Sequence, residues 1–169
     1  MLNKIVKVPS ALDWYSSKYL FKKAMIKRKL KYFEMYLDLK VEGISKTLAI
    51  HKTREEDMIQ IIFENLKKGM AVLDCGSNIG FYPLLEAHIL QGEGSIHAFE
   101  PDMRNFKMLK KNIELCPFGK MIKPYNMAAS NKSGVEKMHV VEESNLNKLF
   151  SENDDEFKIR HKINDTVDV

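Results

Sequence analysis

The chain has 169 residues, of which 44% are hydrophobic and 30% are charged, and its formal net charge is +4. This composition predicts a globular domain with its own core and excludes a disordered chain. No segment approaches the long uncharged apolar run of a membrane span. The charge is uneven, because residues 1–32 contain nine Lys or Arg and one Asp, which leaves +4 − 8 = −4 for the remainder. A uniformly basic nucleic-acid-binding domain is therefore not expected.

The cysteine content and the N-terminus predict the compartment. Cys75 and Cys116 are the two cysteines of the chain, too few for a disulfide framework. Residues 1–20 lack the apolar segment and small-residue cleavage site of a secretory signal. We therefore expect a cytoplasmic protein.

The first 52 residues predict a basic helix followed by a hairpin. Residues 11–33, ALDWYSSKYLFKKAMIKRKLKYF, contain no Gly or Pro and predict one helix with a basic cluster near its end. The segments MYLDLK and ISKTLAIH, separated by Glu42-Gly43, predict two hairpin strands. Packing of the helix on the main domain is favoured. Docking on an anionic membrane or a nucleic acid stays open as an alternative.

Residues 53–169 predict an α/β domain with alternating strands and helices. A helix begins with the capping box Thr53–Glu56 and ends before Gly69. Three strands then follow with helices between them, namely MAVLDC, SIHAFE and MIKPYNMA, and VEKMHVV and KIRHKINDTVDV contain further strands. The spacing indicates a Rossmann-like parallel sheet. We expect two parts, residues 1–52 and residues 53–169.

A ligand of such a sheet lies beyond the carboxyl ends of its strands. The segments at these ends are Asp74 to Gly80, Glu100 with Pro101, and Asn126 to Ala128. The polar residues of these three segments are the candidate site.

The turn after the first of these strands, GSNIG, excludes two cofactor classes. In the dinucleotide pattern Gly-x-Gly-x-x-Gly, Asn78 and Phe81 would stand in place of the second and third glycines. No Gly-Lys-Ser/Thr follows, as a nucleotide-triphosphate loop requires. Glu100 can accept ribose hydroxyls and would repel a 2′-phosphate. S-adenosylmethionine fits this pattern, because its positive centres tolerate Asp74 and its carboxylate can bind N–H groups at the helix start.

The segments VLDCGSNIGFYPLL, HAFEPDMRNFKMLKKNIEL and YNMAASNKSG, in this order and spacing, resemble the FkbM-type S-adenosylmethionine-dependent methyltransferases. The resemblance covers about residues 53 to 141 and implies the Rossmann-like methyltransferase fold. It also implies O-methylation of a hydroxyl on a sugar or a secondary metabolite. The cofactor-binding residues that it implies are Asp74, Gly76, Ser77, Asn78, Gly80, Glu100, Asn126 and Ala128. Among them Glu100 matches the ribose-binding acid, and Asn126 and Ala128 match the segment near the adenine.

The resemblance also implies what partners to expect. We expect a small-molecule or glycan hydroxyl acceptor and no nucleic acid. We also expect no metal, because the five histidines show no metal-ligand spacing. No residue can be assigned as the catalytic base. The family continues into a fourth core strand beyond Val169, so the sheet is expected to be incomplete in its C-terminal half. A non-catalytic half-domain that binds a partner chain or a second copy through the open sheet edge is the alternative.

Overall fold

The N-terminal part of the chain contains helices and a two-stranded hairpin. The computed structural model describes residues 10–22, 24–41, 43–131, 134–135, 137–141, 148–149 and 163–168. In chain order the elements are α1 Ser10–Tyr15, which continues as a π-helical turn Ser16–Leu20, then β1 Met25–Lys29, β2 Glu34–Asp38 and α2 Gly43–His51. The predicted helix over 11–33 is therefore wrong beyond Leu20. The predicted hairpin is wrong too, since β2 pairs with β1 and ISKTLAIH is helical.

The hairpin forms because its apolar residues alternate. β1 and β2 are antiparallel, with Ile26 opposite Leu37. Ile26, Met35 and Leu37 are buried, whereas Lys27 and Glu34 point to solvent and form an ion pair of 2.9 Å. The basic cluster predicted for a helix end therefore lies on a strand and its turn. Pairing with a strand that begins nine residues further along the chain decides the structure here, although the local sequence also suits a helix.

The next helix, α3 Glu56–Asn65, confirms the helix predicted after residue 53. Its predicted capping box does not form, because the cap position is Glu55, which has a left-handed φ of 45° and whose side chain makes no capping bond. Ile59 is buried at 2% exposure and anchors the helix in the core.

Three parallel strands form the centre of the fold, as predicted. They are β3 Ala71–Cys75, β4 Ser95–Phe99 and β5 Ile122–Tyr125, in the order β3-β4-β5. The helices α4 Phe81–Leu90 and α5 Met103–Leu115 connect them. Because parallel crossovers are right-handed and both run in the same direction, α4 and α5 cover the same face of the sheet. Ile96 and Ala98 of β4 are fully buried beneath them.

A second sheet lies near the C-terminus. It consists of β6 Lys137–Val141, β7 Lys148–Leu149 and β8 Ile163–Asp168, all antiparallel in the order β7-β6-β8. The predicted strands VEKMHVV and KIRHKINDTVDV are thereby confirmed. The sequence of residues 144–157, SNLNKLFSENDDEF, predicts a polar loop, which is wrong at β7, and the rest of this segment lies outside the described residues.

The predicted fold class is confirmed, since parallel strands alternate with helices in the sheet β3-β4-β5. The division between residues 52 and 53 stays a prediction. None of the helices in the described ranges combines the length and the apolar character needed to cross a membrane.

Candidate functional site

The loop between β3 and α4 needs glycine at two positions. Gly76 and Gly80 have φ values of +85° and +98°, in the left-handed region that favours glycine. A Cβ on Gly80 would also lie 2.9 Å from Leu109 Cδ1, so α5 packs directly against this residue. Asn78, between them, has a φ of 49°, which asparagine tolerates better than most residues. The turn thus brings the start of α4 close to α5.

The backbone N–H groups of this loop are all bonded inside the protein. Those of Gly76 and Ser77 donate to the carbonyl of Phe99, each at 2.9 Å, and that of Gly80 donates to Ser77 at 2.9 Å. The Asn78 N–H donates to Glu100 Oε2 and the Ile79 N–H to Asn78 Oδ1, both at 2.8 Å. The N–H groups from Gly76 to Gly80 are therefore used within the protein, and the binding of a cofactor carboxylate at the start of α4 stays a prediction.

Asp74, the last but one residue of β3, is tied to the loop through Ser77. The Ser77 hydroxyl lies 2.7 Å from Asp74 Oδ1 and 3.2 Å from the Asp74 carbonyl. Burial raises the pKa of Asp74, and the hydrogen bond from Ser77 opposes this shift. A carboxylate held in partly desolvated surroundings attracts a cationic group strongly.

Glu100 lies after β4 and binds the loop to the start of α5. It is 4% exposed. Besides the Asn78 N–H on Oε2, it accepts at Oε1 from the Asp102 N–H at 2.9 Å and from the Asn105 amide at 3.4 Å. Burial raises the pKa of Glu100, and the bonds from Asp102, Asn78 and Asn105 oppose the shift. A carboxylate oxygen can accept two hydrogen bonds, so Oε1 is fully used and Oε2 retains one lone pair.

Asn126 adds the end of the third strand to this network. Its Nδ2 donates to the carbonyls of Glu100 and Pro101, both at 2.9 Å. Ala128 lies two residues further on and is half-buried. The structure thus joins Asp74 to Ser77, and Asn78 to Glu100 and Asn126, in one network. Their roles in cofactor binding stay predictions.

A cluster of three polar residues, which includes Tyr82 of α4, was not expected from the sequence. The Tyr82 hydroxyl donates to Glu55, and Glu55 is also paired with Arg54. The guanidinium of Arg54 lies 6.0 Å from the ring centroid of Tyr82. Bonds from Arg54 and Tyr82 lower the pKa of Glu55. Burial, with a smaller effect from Glu55, raises the pKa of Tyr82, which also feels the charge of Asp74. In the sequence, the dipeptide Arg54-Glu55 directly before α3 does not indicate this arrangement.

Glu86 is a further acid beside Asp74. It lies in the middle of α4, is 7% exposed, and its Oε2 has no hydrogen-bond partner among the described residues. Burial, followed by the charge of Asp74, raises the pKa of Glu86 to about 8. The sequence signal was an acid inside the otherwise apolar run FYPLLEAHIL.

Asn112 of α5 links the site to the N-terminal hairpin. It is fully buried. Its Nδ2 donates to the carbonyls of Ile79 at 2.8 Å and Tyr36 at 3.1 Å, and its Oδ1 accepts from the Tyr36 N–H at 2.6 Å. The only hint in the sequence was an asparagine three residues after Leu109 of the apolar stripe.

Comparisons with known proteins show the fold. No family model matches the chain, and no curated protein matches it. Among solved structures, a protein of Pyrococcus horikoshii described as a transferase is 17% identical over 71% of this chain and 48% of its own, with a TM-score of 0.51. The tRNA m1G37 methyltransferase of Methanocaldococcus jannaschii is 19% identical over 62% of this chain and 30% of its own, with a TM-score of 0.48.

A third neighbour is the SAM-dependent methyltransferase of Agrobacterium tumefaciens, 12% identical over 63% of this chain and 33% of its own, with a TM-score of 0.47. The chain therefore spans less than half the length of each neighbour. The FkbM resemblance stays a prediction. The cofactor predicted from the sequence is the one in the name of the Agrobacterium protein.

One expectation is wrong. We expected a small-molecule or glycan hydroxyl acceptor and no nucleic acid, yet the neighbours include RNA methyltransferases, one of them in complex with a tRNA. The absence of a uniformly basic charge does not exclude a nucleic-acid substrate, because such a contact needs only a local basic surface. The chain has the fold of the S-adenosylmethionine-dependent methyltransferases.

Proposed function

We propose that this chain is the cofactor-binding domain of an S-adenosylmethionine-dependent methyltransferase that acts on RNA. The observation that carries the proposal is the bond from the Asn78 N–H to Glu100 Oε2 at 2.8 Å. It holds an acid at the end of β4 against a glycine turn at the end of β3. Asp74, two residues before that turn, supplies the second acid of the site.

The donor and acceptor groups of this site fit the parts of S-adenosylmethionine. The remaining lone pair on Glu100 Oε2 suits a ribose hydroxyl. Asp74, a carboxylate in partly desolvated surroundings, suits the positive centres of the cofactor. The segment of Asn126 and Ala128 suits the adenine. When bound, the cofactor supplies an electrophilic methyl group, and the protein aligns the acceptor atom with it.

Arg54 is the residue that we assign to the carboxylate of the cofactor. The loop N–H groups are already used, and Arg54 is the cation joined through Tyr82 and Glu55 to the surroundings of Asp74. A planar guanidinium binds a carboxylate through two parallel hydrogen bonds. Both side chains of the Arg54–Glu55 pair are accessible to solvent. Replacing Glu55 by a ligand carboxylate as the partner of Arg54 therefore costs little free energy.

The RNA acceptor is supported by a surface at the N-terminus, which we call the aromatic-lysine surface and define by Tyr15, Lys18, Tyr19, Phe21 and Lys46. Three of its rings are exposed, with Phe21 at 67%. Tyr15 and Tyr19 stack with their ring centroids 6.2 Å apart. Lys18 Nζ lies 5.5 Å from the ring centroid of Tyr19, and Lys46 Nζ lies 5.8 Å from that of Tyr15. Exposed rings that stack on bases, beside cations that contact phosphates, are typical of single-strand RNA binding.

Calorimetric titration with S-adenosylhomocysteine tests the cofactor. We expect binding by the full chain and a loss of about tenfold or more in affinity for Glu100→Gln, because a ribose acceptor then carries no charge. The matched control is Glu93→Gln, which changes an exposed acid paired with Lys68 at the other end of α4. Absence of binding by the unmodified chain, or an equal loss in both variants, contradicts the proposal.

Arg54→Gln tests the carboxylate assignment by itself. We expect weaker binding of S-adenosylhomocysteine and unchanged binding of adenosine, which has no carboxylate. Lys52→Gln, a change of an exposed cation two residues earlier, is the control. A parallel loss for both ligands shows that Arg54 acts on the fold and not on the carboxylate.

The acceptor is tested by RNA binding in a salt series. We expect the affinity for single-stranded RNA to fall steeply with salt, and Tyr19→Ala with Phe21→Ala to weaken it. Met103→Ala, which removes an exposed apolar side chain on α5, is the control. Binding that ignores both the salt and the aromatic changes would rule out this acceptor surface.

A second candidate function is a half-domain that binds a partner chain through its sheet. Within the described ranges β3 pairs with a strand on one side only, and Leu73 on the uncovered face is 72% exposed. An apolar side chain at an open edge favours association. Light scattering after size exclusion should then show a dimer that Leu73→Lys dissociates, and a monomer at all concentrations excludes self-association.

A further inference from the structure

A cavity of about 300 Å³ lies at the other end of the molecule from the loop site. It is lined by the turn between β1 and β2, the last turn of α4, and the segment that follows α5. α4 and α5 both begin at the loop site, and His88 and Leu115 stand at their far ends. With a rise of about 1.5 Å per residue, the two places are on the order of 10 to 20 Å apart. The cavity is therefore distinct from the proposed cofactor site.

The walls of the cavity are mainly aromatic. Tyr32, Phe33 and Phe118 line it together with the imidazole of His88. The ring of Tyr32 is held in place by Phe63, with centroids 5.2 Å apart, and by His88 at 6.1 Å. Fixed rings around a space of this size favour a planar aromatic guest.

The charges at the mouth favour an anionic group on that guest. Glu34 is neutralised by Lys27 at 2.9 Å. Two further cations of the same hairpin are also paired, Arg28 with Asp13 and Lys31 with Glu56. Lys29, in contrast, lines the cavity and has no carboxylate partner among the described residues. Burial raises the pKa of the Cys116 thiol, so the thiol stays neutral at pH 7 and adds no negative charge.

We propose that this cavity binds a nucleotide, with its base between the aromatic rings and its phosphate at Lys29. The ring chemistry suits any base, because every base has a face that stacks. His88 offers a nitrogen to the edge of the base, and a flexible ammonium suits a phosphate. The nucleotide is either free or part of an RNA strand, and only the second source rests on the proposed RNA acceptor.

The two cysteines provide a test with an internal control. Cys116 lines the cavity, whereas Cys75 is exposed at the end of β3. Alkylation of the full chain is followed by mass spectrometry at about pH 9, where part of the buried thiol is ionised. With excess S-adenosylhomocysteine in every sample to fill the proposed cofactor site, and AMP at about ten times its Kd, we expect the rate at Cys116 to fall about tenfold and the rate at Cys75 to stay unchanged. A short single-stranded oligoribonucleotide is tested in parallel.

The pattern of protection distinguishes the sources. Protection by AMP assigns the cavity to a free nucleotide, and protection by the oligoribonucleotide alone assigns it to a nucleotide within RNA. Benzoate, an aromatic anion without a base or phosphate, should not protect. If neither nucleotide probe protects Cys116 at millimolar concentration, or if benzoate protects as well as AMP, the proposal is wrong.

Lys29→Gln tests the phosphate contact. We expect about tenfold weaker protection by the probe that works, because a charged hydrogen bond is lost. The control is Lys107→Gln, which changes an exposed lysine on α5 away from the cavity. Equal effects of the two variants would show only a general attraction of anions to a basic protein. S-adenosylhomocysteine binding should stay unchanged in both variants, so failure here is separable from failure of the proposed cofactor site.

Discussion

The two faces of the parallel sheet differ in how deeply their side chains are buried. On the face covered by α4 and α5, Ile96 and Ala98 are fully buried, as are Leu84 and Leu85 of α4. On the opposite face Leu73 is 72% exposed. Two adjacent strands of one sheet thus place apolar side chains in the core on one face and in solvent on the other. The covered face should therefore carry most of the stability of the sheet, and the open face should be available for contacts.

The largest expected effect is on the free energy of unfolding, and it compares Leu84 under the covered face with Leu73 on the open face. Leu84→Ala should lower the free energy of unfolding by about 3 kcal/mol, because it leaves a cavity beneath the sheet. Leu73→Ala should change it by about 0.5 kcal/mol or less, because its side chain is already in water. Urea denaturation measures both. Similar losses would mean that the open face is covered in solution.

Glu86 places a buried acid on the covered side, and its effect depends on pH. The pKa of Glu86 is about 8 in the folded protein, against 4.5 for an ordinary glutamate. The folded state therefore binds the proton more tightly, so stability should rise as the pH falls from about 8 toward 4.5 and should be lowest above pH 8.

Glu86→Gln should remove most of this pH dependence and stabilise the protein at pH 9 by on the order of 2 kcal/mol. Denaturation of both proteins at a series of pH values measures the difference. Glu93→Gln, an exposed acid, should leave the pH profile as it is. An unchanged profile in the Glu86 variant would show that another group titrates.

Substitutions at Gly76 and Gly80, in one loop, distinguish the cost of a packing clash from the cost of backbone strain. Gly80→Ala should destabilise by about 1.5 kcal/mol, because its φ is unfavourable for alanine and its methyl group would meet Leu109 on the covered side. Gly76→Ala should cost about 1 kcal/mol, because it has the same strain and nothing within 4 Å of its Cβ. A larger cost at Gly76 would contradict the packing of Gly80 on α5.

The smallest effect concerns the open face itself. His97, Phe99 and Tyr125 form a row of stacked rings there, and Tyr125 stacks on Phe99 with centroids 4.8 Å apart. The Tyr125 hydroxyl lies 3.0 Å from His97 Nδ1. Tyr125→Phe keeps the ring and removes this bond, and should cost about 0.5 kcal/mol, because water replaces the lost partner. A loss of several kcal/mol would mean that this row is shielded from water.

The sequence predicted the parallel sheet well, because its signals are local. Buried strands, a glycine turn and helices follow one another with short connections, and Asp102 caps α5 through bonds from the N–H groups of Arg104 and Asn105. The polar residues at the strand ends also came together as expected, since parallel strands end at one edge.

The N-terminal part could not be predicted in the same way. Residues 25–29 have helix formers such as Met and Lys, and only their pairing with β2 makes them a strand. Gly43 was interpreted as part of a hairpin turn, yet it begins α2. The roles of Arg54, Tyr82 and Asn112 depend on contacts between distant elements, as in the 76 positions that separate Asn112 from Tyr36. No short window of sequence contains that information.

The fully bonded loop between β3 and α4 has a consequence for how a ligand would bind. Its five N–H groups from Gly76 to Gly80 have partners before any ligand arrives. Such a loop is preorganised, so binding would not have to order the backbone, and little conformational entropy would be lost there. Recognition would then depend on side chains around a rigid frame, and ligand preference could change by single substitutions without refolding of the turn.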